Sequence, residues 1–153
     1  MSRVLALTTL VVAATPVLAA AQQFVSQELP GPSVWSEFVA PVDIDEDGDL
    51  DLVVANANGW NQPGDLEGTG NPLPPSVYRH DGVDGAGFPI WTEVTAAVMP
   101  AGFRLHAKSI AILDADDDGH QDLAFAVAFA DQQRLLMKAG PGASYVDETA
   151  GRL

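Results

Sequence analysis

Beyond residue 22 the apolar positions fall in short runs, either β-branched or alternating with polar residues, and the helical period is weak. Fourteen glycines and eleven prolines punctuate these runs. Alternation with period two puts successive side chains on opposite faces of a sheet, so the pattern predicts strands. They are expected at 34–42, 50–55, 76–80 and 90–94. A second series is expected at 107–113, 123–129, 135–138 and 144–148. A segment at 24–30 resembles the last strand of a preceding unit.

The two series match position by position. Val77-Tyr78-Arg79-His80-Asp81-Gly82 corresponds to Leu135-Leu136-Met137-Lys138-Ala139-Gly140. Trp91-Thr92-Glu93-Val94-Thr95-Ala96 corresponds to Tyr145-Val146-Asp147-Glu148-Thr149-Ala150, with aromatic and threonine in register. Four short strands per repeat is the pattern of a propeller blade. The expected fold is all-β: two four-stranded propeller-type blades, a partial β-propeller, over residues 22–153. Repeat 1 covers about 33–98 and repeat 2 about 105–153. The first repeat carries an insertion between Asn56 and Pro75, rich in glycine, proline and asparagine. It reads as a surface loop, either a tolerated insertion or a binding surface.

Each repeat holds one acidic stretch between its first two strands. Asp43-Ile44-Asp45-Glu46-Asp47-Gly48-Asp49-Leu50-Asp51-Leu52 and Asp114-Ala115-Asp116-Asp117-Asp118-Gly119-His120-Gln121-Asp122-Leu123 both spell D-x-D-x-D-G-x-x-D-L. Carboxylates at positions 1, 3, 5 and 9 can converge on one cation, and position 7 adds its backbone carbonyl. Glycine at position 6 permits the sharp turn. The expected ligands are Asp43, Asp45, Asp47, Asp49 (through its carbonyl) and Asp51. In the second copy they are Asp114, Asp116, Asp118, His120 (through its carbonyl) and Asp122. Two bound Ca2+ ions are expected. Glu46 and Asp117, at position 4, are expected to face solvent. An EF-hand is excluded, because its bidentate glutamate at position 12 is replaced here by Val54 and Phe125.

Charge and composition narrow the partners. Twenty-one acidic against seven basic residues give a net charge of -14, which opposes binding to nucleic acid or anionic membranes. Eleven of the acids lie in the two loops, so the charge is concentrated where a cation would neutralise it. Arg3, the apolar run 4–14 and Ala19-Ala20-Ala21 form a secretory signal over 1–21 with Gln22 as the first mature residue. The expected location is secreted, periplasmic or at the cell surface. No apolar segment of membrane-spanning length follows. Without cysteine the chain has no disulfide, and metal ions are the cross-link left to it.

The loops, followed by Leu52-Val53-Val54-Ala55-Asn56 and Leu123-Ala124-Phe125-Ala126-Val127, resemble FG-GAP or VCBS-type repeats. These repeats build the calcium-binding blades of integrin-α-like β-propellers. The resemblance covers nearly everything after the signal segment. It implies that each acidic loop joins the first two strands of a blade, with the ligands named above. It also implies a non-catalytic module for adhesion, recognition of an extracellular protein or glycan, or scaffolding. Two blades do not close a ring of about 4–8, so self-association or further blades are expected.

Other chemistry is thin. His80, His106 and His120 lack zinc spacing and read as solvated or structural. No nucleophile elbow or phosphate loop occurs. Trp35 and Trp91 read as core and Trp60 as an exposed platform. Asp65 and Glu67 are the sole weak acid/base pair for the alternative, part of a polysaccharide-acting enzyme.

Overall fold

The computed structural model describes residues 26–32, 34–57, 72–128 and 131–153. The signal segment 1–21 and Trp60, Asp65 and Glu67 of the insertion lie outside the described residues.

Two four-stranded antiparallel meanders make up the fold. The first runs β1 (Ser36–Val42), β2 (Asp51–Asn56), β3 (Ser76–Val83) and β4 (Pro89–Glu93). The second runs β5 (Ala107–Leu113), β6 (Asp122–Val127), β7 (Arg134–Met137) and β8 (Val146–Asp147). Every strand predicted in the two four-strand series is present, with shifted ends, and the last is cut to two residues. The fold is all-β, and the helices among the described residues are two single turns, α1 (Thr95–Val98) and α2 (Thr149–Arg152). No helix among the described residues is long and apolar enough to cross a membrane.

Register is the same in both sheets. Ala40 pairs with Val53, which pairs with Val77; Ala111 pairs with Ala124, which pairs with Leu135. The next row is Pro41–Leu52–Tyr78–Glu93 in one sheet and Ile112–Leu123–Leu136–Asp147 in the other. The sheets pack with β1 against β5. Between them lies one shared core of Ala40, Val53, Val77, Leu123, Phe125 and Leu136 with their neighbours. Burial of such side chains contributes about 25 cal/mol per Å2 of apolar surface removed from water.

The helical turns serve the sheets. Thr95 and Thr149, the residues in register between the repeats, follow the last strand of each meander. Their hydroxyls accept the backbone N–H of Val77 (2.8 Å) and Leu135 (2.9 Å). Each threonine thereby satisfies a strand amide that the fourth strand does not reach.

Two expectations fail here. Trp35 is not core: it precedes β1 and stays 54% exposed. Residues 26–30 form no strand; Gln27 instead donates to the Pro89 carbonyl at 2.7 Å. Trp91 is half-buried in β4, where it packs against the His80 ring with centroids 5.2 Å apart. The insertion returns through Leu73, bridged to Leu105 just before β5.

Candidate metal centres

The acidic loops connect β1 to β2 and β5 to β6, and both fold by the same internal bonds. Asp43 at position 1 accepts the amides of Asp47 (3.1 Å) and Gly48 (3.0 Å). Asp114 accepts those of Asp118 (3.1 Å) and Gly119 (2.9 Å). Position 5 caps the turn in each: Asp47 accepts the Asp49 amide and Asp118 the His120 amide. The turn needs left-handed backbone at Gly48 (φ 99°) and Gly119 (φ 88°). Position 4 is left-handed as well, at Glu46 (φ 62°) and Asp117 (φ 60°), a region side chains rarely enter.

Position 9 ties each loop to its sheet. Asp51 is fully buried and accepts the amides of Ile44 and His80, both at 2.7 Å. Asp122, also fully buried, accepts those of Ala115 and Lys138, both at 2.8 Å. Burial pushes the Asp51 carboxyl above its ordinary range, and the negative charges of Asp45 and Asp49 add to the rise.

Two carboxylate clusters result. Oxygens of Asp43, Asp45 and Asp51 lie within 4.8 Å of one another, and so do those of Asp114, Asp116 and Asp122. Both clusters could hold a metal ion. The donors fit a hard cation, being oxygen only, with no sulfur or imidazole among them. Asp45 Oδ1 adds a direct sign: it is buried and has no hydrogen-bond partner. A carboxylate oxygen shut away from water and donors is costly unless a cation meets it. Cations of the chain already stand beside position 3, with Arg79 Nε 3.9 Å from Asp45 and Arg152 3.3 Å from Asp116.

The other expected ligands lie outside these three-oxygen clusters. Asp47 and Asp118 turn one oxygen to the backbone as described. Asp49 directs its carboxylate to His80 Nδ1 at 2.8 Å, and His120 directs its ring to Glu46.

Glu46 departs from the solvent-facing role expected of it. Its Oε1 accepts from Lys138 Nζ at 2.8 Å and lies 2.8 Å from His120 Nδ1. Lys138 is completely buried. The Lys138 hydrogen bond holds the Glu46 carboxyl below its ordinary range despite partial desolvation. Gln121 adds a second tie between the loops, its Oε1 accepting the Asp43 amide at 3.3 Å. Asp117, the counterpart of Glu46, is exposed.

The chain matches no family model, no curated protein and no solved structure.

Proposed function

We propose that this chain is an exported calcium-binding repeat module of FG-GAP or VCBS type, each acidic loop holding one ion. The observation that carries the reading is the repetition, bond for bond, of one carboxylate cluster at the same point of two sheets. An isolated acidic turn needs no such repetition. Calcium takes about six to eight oxygens in flexible geometry. Asp43, Asp45 and Asp51, with the side chain of Asp47 and the carbonyl of Asp49, would hold one ion. Asp114, Asp116 and Asp122, with Asp118 and the carbonyl of His120, would hold the other. The ion supplies charge neutralisation and a cross-link between first and second strands, in a chain without disulfides.

On this reading each meander is a blade, and the module works by presenting surface to an extracellular protein or glycan, without catalysis. The buried Asp51 and Asp122 make metal binding and sheet stability one property, because the carboxylates facing the ion also hold β3 and β7.

Calorimetric titration with calcium, paired with thermal melting in calcium and in chelator, tests the proposal. Two ions bind and Tm rises with calcium. Asp45→Ala and Asp116→Ala each remove one ion. No heat of binding together with an unchanged Tm would overturn it.

A further inference from the structure

The two sheets meet through non-equivalent faces. In the first sheet the row Ala40–Val53–Val77 is sealed at 3%, 0% and 0% exposure and lies in the shared core. Its counterpart in the second sheet, Ala111–Ala124–Leu135, lies outside that core, with Ala111 exposed and Ala124 half-buried. The adjacent row behaves in the opposite sense. Leu123 and Leu136 of the second sheet are fully buried in the core, with Ile112 packed against it. Their counterparts Pro41, Leu52 and Tyr78 lie outside it, Pro41 exposed and Leu52 half-buried.

The internal interface is therefore heterologous, a small-residue face against a large-residue face. Among the described residues each face occurs once more: the small one on the outside of the second sheet, open at Ala111 and partly at Ala124, and the large one on the outside of the first, open at Pro41 and partly at Leu52, with Leu135 and Tyr78 each 7% exposed. Ala111, Ala124 and Leu135 are uncharged, as are Pro41, Leu52 and Tyr78, and the second row meets a charge only at its end, Glu93 in β4. Val39 extends the large face and is 48% exposed. Gly31 passes beside the Tyr78 hydroxyl, while Val39 and Pro41 stay exposed and Leu52 half-buried. A groove of about 460 Å3 lined by Tyr78, Glu93, Met99 and Phe103 borders the same face.

We propose that a second copy of this chain docks head to tail, its Ala111–Ala124–Leu135 face on the Pro41–Leu52–Tyr78 face of the first. The contact repeats between chains what joins the two sheets within one. A head-to-tail contact of this kind generates a ring if its rotation closes and a filament if it does not. The inference rests on sheet packing and holds whether or not the loops take calcium.

Sedimentation velocity and light scattering on the full chain over a wide concentration range test it. The wild type forms discrete multimers. Val39→Glu and Ala126→Glu place one charge on each exposed face, and each variant alone is monomeric with an unchanged circular dichroism spectrum. Mixed in equal amounts, they form a dimer, because each still offers the face the other has lost. Pro41→Lys and Ala111→Lys are the second pair, should either glutamate variant fail to fold. A wild type that stays monomeric overturns the proposal and leaves these faces to another repeat or partner. So does an oligomer that survives either single variant, since only an isologous contact tolerates loss of one face. A mixture that stays monomeric also overturns it.

Discussion

Glu46 and Lys138, 92 positions apart, form an ion pair across the two repeats, Oε1 to Nζ at 2.8 Å, with the lysine side chain wholly buried. A buried ammonium is tolerated only with a carboxylate beside it. The pair, joined by His120, makes the first acidic loop part of the environment of the second.

Glu46→Ala strands Lys138 and costs about 1–3 kcal/mol, read as a fall in Tm. The effect depends on pH in a defined direction. The folded-state carboxyl is held below the unfolded value near 4.5. Its stabilisation is therefore complete above that value and is lost as pH falls through the lowered one. The Tm gap between wild type and Glu46→Ala is full at neutral pH and closes in acid.

Asp51→Ala leaves the amides of Ile44 and His80 without their acceptor, each at a cost of about 1–3 kcal/mol. Asp51→Asn retains one acceptor oxygen and loses less. The sign for Asp51 opposes that for Glu46. Its folded carboxyl is raised above 3.8, so its contribution is present below that value and lost as pH rises through the raised one. Melting in chelator across acid pH should show this dependence in the wild type and not in Asp51→Asn.

Position 4 offers a paired test of backbone strain. Asp117 is exposed at φ 60°, and Asp117→Gly relieves a left-handed conformation that costs about 1–2 kcal/mol in residues with a Cβ. Part of the gain returns as chain entropy, and Tm stays level or rises. Glu46→Gly relieves the same strain and loses Lys138, so its Tm falls. A fall of equal size in both variants would deny Glu46 its bridging role.

Thr149 is 2% exposed and its hydroxyl accepts the Leu135 amide. Thr149→Val keeps the shape and removes the acceptor, lowering stability by about 1–3 kcal/mol. Thr149→Ser restores most of it. Hydrogen exchange at the Leu135 amide quickens in the valine variant alone.

The sequence reveals strands well where a short apolar run follows a turn, as in Leu52-Val53-Val54-Ala55 after the first acidic loop, and reveals the loops through their nine-residue spacing. Glu46 escaped it, because its partner stands 92 residues away and no local pattern marks the pair. Trp35 was misread because an aromatic beside an apolar run looks like core, while the strand begins one residue later. Helices of four residues fall below any period that can be read. The matched threonines were visible; their hydrogen bond to the third strand was not. Which face of each sheet is covered depends on packing between repeats, and alternation alone leaves both choices open.

Asn56 at the end of β2 donates to the Pro74 carbonyl at 3.0 Å and to the Ser76 hydroxyl at 2.9 Å. The base of the first repeat's insertion is thus clasped by residues on either side of it, and Leu73 is bridged to Leu105. A clasped base makes the intervening stretch a natural graft point. Doubling its length adds only about 0.6 kcal/mol of closure entropy. A foreign peptide or a small domain can be carried there, displayed from a scaffold whose own strands keep their register.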